Sequence, residues 1–291
     1  MYHTMHHASE NELRAKGEAL EHLLQSTESS EQQKQTALME YLALLNNERA
    51  TSVGIWFSNR LFDRVSAAFR AHPTSELAVD LLYACLLLQQ FHAMDFAPWR
   101  AHPYIADCQD ALKAIAADGK DSDYLRFCQA TAETYAEARW WPEALHYTIQ
   151  MHEAAKRLMA KGVTLLENGA LLDLRDSACA ICLYASQTAD GMTAALSEML
   201  LADLGAEEYA VVTKEAHETI GDTVTDPVEL TPEYLSIRYE LEEKIDEALE
   251  HQRGYYDYCK EYWMVKKLIL RSDYGIQWKS PATLNPGTEF H

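Results

Sequence analysis

Apolar residues recur at three- and four-residue intervals along nearly the whole chain, the spacing of one face of an α-helix. Leu13, Ala19, Leu20, Leu23 and Leu24 form the first such stripe and predict a helix over Glu10–Ser26. Ala37, Leu38, Tyr41, Leu42 and Leu45 predict a second over Gln32–Asn46, with Ser30 placed to cap it. Val53, Trp56, Phe57, Leu61, Val65, Ala68 and Phe69 stripe a third over Thr51–Ala71, and His72–Pro73 ends it. Thr74 or Ser75 can then cap Glu76–Met94, which is apolar nearly all round its middle and so reads as a central helix with several neighbours.

Farther along, Phe91–Pro103 reads as a loop-like insert holding Pro98, Trp99 and Pro103. Tyr104–Ala117 reads as helical, with a break over Asp118–Ser122. The clearest pair follows over Tyr124–Leu158: Cys128, Ala132 and Tyr135 stripe its first helix, and Ala144, Leu145, Thr148, Met151 and Ala155 its second. Gly162–Gly169 is a turn region, although Val163–Leu166 suits a helical extension. Leu171–Thr188, Met192–Asp203 and Glu207–Ile220 read as further helices. Residues 221–232 are rich in Asp, Thr and Pro and form the clearest linker. Thr231, Pro232 and Glu233 then make a strong helix start, for a helix running to about Arg253. Tyr255–Leu270 is the last helix, and the aromatic tail after it is irregular and expected to pack back on the body. The organisation expected is therefore a helical domain over 1–220, a linker over 221–232, and a helical hairpin with its tail over 233–291.

Composition supports the pattern. Only 11 glycines and 8 prolines punctuate 291 residues, and the apolar fraction of 48% is ample for a buried core. The alternation of Val, Ile and Thr that marks strands is nearly absent, so the fold expected is all-α. A net charge of −20 argues against a nucleic-acid surface and against binding an anionic membrane. It suits solubility, or a basic protein or peptide partner. The start of the chain is polar and His-rich rather than signal-like, and the apolar run Leu77–Leu88 contains Asp80 and is short for a bilayer. The cytoplasm is the expected compartment, and six cysteines scattered through helical patterns fit it as small hydrophobes.

The pair over 124–158 resembles a tetratricopeptide repeat, a unit of two antiparallel helices with small residues at their contact and a bulky residue at the turn. Tyr135 matches the family's first-helix Tyr, Ala144 its small close-contact position, Trp141 its aromatic turn position, and Pro142–Glu143–Ala144–Leu145 its second-helix start. Arg139 stands where the family has its turn Gly, and Thr148 where it has an aromatic residue. Tyr184 with Ala194–Ala195, and Lys244–Leu249, echo the motif at irregular intervals. The resemblance covers one repeat, about an eighth of the chain. It implies irregular antiparallel helix pairs stacked as an α-solenoid with a right-handed superhelix, binding through a groove lined by first helices. Arg126 lies on the groove-facing side, but Ala130 and Glu133 replace what a carboxylate clamp would need.

Motifs with chemistry are sparse. Cys179 and Cys182 form a CxxC inside a helical pattern, without the second pair that a zinc site needs. Glu143 and His146 form one ExxH, where a di-iron bundle needs two. His3, His6 and His7 cluster at a polar terminus. No HExxH, GxSxG, Walker A or GxGxxG pattern occurs, so no catalytic, cofactor-binding or metal-ligating residue is assigned, and no cofactor is implied. Dense aromatic groups suit either core packing or recognition. On that basis Arg126, Trp140, Trp141, Tyr255 and Tyr256 are the candidates for an interaction surface. The function expected is a non-enzymatic protein-interaction scaffold. The alternative is an enzyme, or a small-ligand or metal-binding protein, with a site between helices.

Overall fold

A computed structural model describes residues 10–165, 171–220, 224–249 and 258–288. All regular structure among them is helical; one isolated antiparallel bridge joins Leu165 and Leu171. The chain forms two compact units, residues 1–138 and 139–291.

The first unit holds α1 (Glu10–Gln25), α2 (Glu31–Asn47), α3 (Thr51–Ala71), α4 (Ser75–Met94), α5 (His102–Asp107), α6 (Gln109–Ala117) and α7 (Asp121–Glu137). Local chemistry explains their limits. Ser30 and Gln33 form a reciprocal capping box that starts α2, and the Thr74 hydroxyl accepts from the Leu77 amide to start α4. Connections of about three residues make α2 and α3, then α3 and α4, adjacent antiparallel neighbours. At the α3–α4 contact the fully buried Phe91 ring fills the space beside Gly54, where an added Cβ would overlap it. Tyr41 packs edge-on against Phe57 and donates its hydroxyl to the Leu13 carbonyl, tying α1, α2 and α3 together. As the apolar pattern predicts, α4 is central, packing on α3, α6 and α7. It is also long and apolar enough to cross a membrane by length and composition, and more than half of that stretch is buried within the protein.

The insert expected over Phe91–Pro103 is ordered as helix. α4 continues to Met94, a 3-10 turn covers Pro98–Ala101, and α5 starts at His102. Each proline occupies an early helical position, where its missing N–H costs nothing. The single helix expected over Tyr104–Ala117 is broken at Cys108 into α5 and α6.

The second unit holds α8 (Trp141–Ala160), α9 (Arg175–Ala185), α10 (Ala194–Leu204), α11 (Ala206–Ile220), α12 (Pro232–Ala248), α13 (Tyr258–Asp273) and α14 (Pro281–Leu284). One core gathers Ala178, Ile181 and Cys182 of α9, Leu200 of α10, and Val212 and Ala216 of α11. Another gathers Tyr234, Leu241 and Ile245 of α12 with Leu270 of α13 and Trp278 of the tail, so the tail does pack back. The expected helical start at Leu171 is replaced by a bridge, because the Leu172 amide donates to the Thr164 carbonyl. Thr231 caps α12 as its sequence predicts. The linker's latter part contains a 3-10 turn, Pro227–Leu230; residues 221–223 lie outside the described residues, as does the expected end of α12 near Arg253.

Candidate functional site

Helix ends recur in one form. The amide of Ala50 donates to the Leu45 carbonyl, and that of Arg49 to Asn46. Ala97 to His92 with Phe96 to Ala93, Lys120 to Ile115 with Gly119 to Ala116, and Val163 to Leu158 with Gly162 to Met159 repeat the same pair of bonds. This is the Schellman termination, which places one residue in the left-handed region. Glycine fills that position at Gly119 and Gly162, and Arg49 and Phe96 fill it with φ of 55° and 56°; Arg139, after α7, is also left-handed at 58°. Arg139, read from the resemblance as standing in for a turn glycine, thus adopts the glycine-like conformation.

The most chemically organised cluster lies between α8, α9 and α10. His152 Nε2 is 3.2 Å from Asp203 Oδ2, and its Nδ1 is 2.7 Å from Ser177 Oγ. Lys156 Nζ bridges Asp203 at 2.9 Å and Glu153 at 3.1 Å. Burial pushes the His152 pKa below its ordinary value, so the imidazole is neutral at pH 7. Burial would raise Asp203, but the hydrogen bonds from Lys156 and His152 and the charge of Lys156 outweigh it and hold the carboxyl low. An ionised Asp203 accepts from Nε2–H, which leaves Nδ1 as an acceptor for the Ser177 hydroxyl. That is the order of groups in a serine nucleophile with its base and orienting acid. However, Ser177 is only 3% exposed and its hydroxyl also lies 3.0 Å from the Leu174 carbonyl. As it stands, the array joins three helices inside the protein.

A second cluster surrounds Lys266 of α13. Its ammonium is 3.2 Å from Glu229 Oε1 and lies 4.8 Å, 5.2 Å and 5.7 Å from the ring centres of Trp278, Tyr234 and Tyr262. Trp278 donates its indole N–H to the same Glu229 oxygen, and Tyr262 donates its hydroxyl to Glu242. Burial would lower the lysine pKa, but the surrounding Tyr262, Tyr234, Glu229 and Glu242 reverse this and keep the ammonium charged. The aromatic box is therefore filled by the protein's own cation.

The residues singled out in the sequence have different surroundings. Arg126 is exposed on α7. Trp140, expected at an interaction surface, is 4% exposed: the Arg238 guanidinium stacks over it at 4.2 Å and Tyr239 packs edge-on. Trp141 is half-buried and stacks on Tyr184. Tyr255 and Tyr256, like His3, His6 and His7, lie outside the described residues. Glu143 pairs with Arg238, whereas His146 is exposed beside Gln150, so the ExxH pair does not converge. Cys179 and Cys182 are free thiols whose pKa values burial raises, away from the reactive thiolate. Among the described residues no group of three His, Cys, Asp or Glu is arranged to hold a metal ion.

His152, Ser177, Asp203 and Lys266 carry no short motif. Their signal is subtler: His152 continues the buried face of Ala144 and Thr148, and Lys266 sits between Tyr262 and Leu270 on one helix face. A polar residue in a core stripe is the mark of a buried network.

No family model, no curated protein and no solved structure matches the chain.

Proposed function

We propose that the chain is a non-enzymatic protein-interaction scaffold of tetratricopeptide-repeat-like type, built of irregular antiparallel helix pairs stacked as a right-handed α-solenoid. The observation that carries the reading is the recurrent Schellman turn, which ends four helices with the same two hydrogen bonds. Stacked helix pairs joined by short turns present long outer faces, and such faces serve recognition. The partner is a protein or peptide. The charge of −20 favours a basic one on the acidic helix faces. Six free thiols support a reducing compartment such as the cytoplasm.

The test is affinity capture with the full chain as bait, with metal analysis of the same sample. A specific partner held in stoichiometric amount supports the scaffold. No such partner, together with a tightly bound metal, overturns it.

One observation favours a different reading, an enzyme with a site between helices: the Ser177–His152–Asp203 array. Its burial weighs against that reading, because a nucleophile must meet substrate.

A further inference from the structure

The outward face of α13 differs from the rest of this acidic chain. Lys260, Met264, Lys267, Leu268 and Arg271 share one side of the helix by their three- and four-residue spacing, and all five are exposed. Met264 and Leu268 are 60% and 65% exposed. The opposite side is engaged, with Lys266 and Leu270 buried and Tyr262 partly buried against α12 and the tail. Three cations therefore flank an apolar pair, and among the described residues of α13 Glu261 is the acid at the face's N-terminal edge. Among the described residues neither Lys267 nor Arg271 has an ion-pair partner.

We propose that this face binds an acidic amphipathic helix of another protein, with apolar residues seated on Met264 and Leu268 and carboxylates meeting Lys267 and Arg271. The proposal rests on the scaffold reading and adds to its basic partner a second, acidic one, held at this single cationic face. Local charge decides here, because at physiological salt charges act over about 8 Å, so distant acids hardly reach the face. Arginine matches a carboxylate with two parallel hydrogen bonds. Methionine adapts its shape to varied apolar partners. A second copy docking through the same face would set cation against cation, which argues against symmetric self-pairing.

The probe is a labelled peptide of about 18 residues, long enough to form a helix on the surface, with Leu at helical spacing and Glu on both flanks. A version with Lys for Glu is the control, and binding to the full chain is followed by fluorescence anisotropy. The acidic peptide binds with a Kd of about 10–100 μM, the range of a small interface, and binds more weakly as salt rises. The double variant Met264→Glu, Leu268→Glu weakens it at least about tenfold, the effect of losing a buried anchor. Lys267→Glu with Arg271→Glu also weakens it and gains the basic peptide. Circular dichroism confirms that each variant stays folded. Equal binding of both peptides, no binding, or binding unchanged by either variant overturns the proposal. Dimerisation abolished by the Met264/Leu268 variant also overturns it, in favour of self-association. A captured partner whose cross-links avoid α13 overturns this face and leaves the scaffold standing.

Discussion

Both units carry ion pairs between helices, such as Arg60 with Glu21 and Arg64 with Glu31 in the first, but they differ in what their buried contacts are made of. In the first, α3 and α4 meet through volume: Gly54 yields space that Phe91 fills, and the buried polar group Gln89 is satisfied locally by Thr131 and Thr134. In the second, α9 and α10 are short, and ionic or polar pairs join the helices: His152 to Asp203, Lys156 to Asp203, Arg175 to Glu208 and Glu215, Arg238 to Glu143 and Lys266 to Glu229. Long apolar helices fix their buried contacts largely by close packing. Short helices have few apolar positions, and directional polar bonds then fix which residue meets which.

Each unit should therefore break in its own way. The largest effect belongs to the packed unit: Phe91→Ala costs about 3–5 kcal/mol by opening a cavity, read from chemical denaturation. In the polar unit, Lys266→Met leaves the partly buried Glu229 without its cation and costs about 2 kcal/mol, and adding Glu229→Gln restores part of it. A Lys266→Met variant as stable as wild type would place that box at the margin of stability. Gly54→Ala costs about 1–3 kcal/mol by overpacking, and Phe91→Leu in the same chain recovers some of the loss, a non-additivity measurable in a double-mutant cycle.

The pH dependence is smaller, and its sign follows from His152. The folded-state pKa lies below the unfolded value of about 6.5, so the unfolded chain takes up the proton first. Stability from this site is complete above that pH and declines as the pH falls through it toward the depressed folded value. His152→Gln, compared with wild type between pH 7 and pH 5.5, flattens the slope of stability against pH. An unchanged slope would remove His152 from the account. The smallest effect is a gain: Arg139→Gly relieves a left-handed non-glycine residue at the end of α7, worth about 0.5–1 kcal/mol in thermal unfolding.

Legibility in the sequence divides by element and not by unit. The helices of the first unit were readable where apolar spacing is long and caps are strong, as at Ser30 and Thr74. The all-helical class was readable throughout. The break at Cys108 was not, because Tyr104–Ala117 keeps a continuous apolar period across it. The order within Phe91–Pro103 was hidden because proline signals both a loop and a helix start. The breaks around Arg49, Phe96 and Arg139 were readable, but their left-handed backbone was not, because none of the three is glycine. The polar networks were illegible as motifs, since His152, Ser177 and Asp203 are brought together by three separate helices and only folding makes them neighbours. Trp140 shows the converse: its composition suggested recognition, and Arg238 with Tyr239 encloses it.

The scaffold proposal requires the polar groups of the second unit to hold helices together and not to act on a substrate. Labelling the native full chain with a fluorophosphonate probe, read by intact mass and peptide mapping, tests this at Ser177. Buried beside His152, Ser177 stays unmodified under conditions that leave the protein folded. Stoichiometric modification of Ser177, lost in His152→Gln, would contradict the account and make the array a working nucleophile.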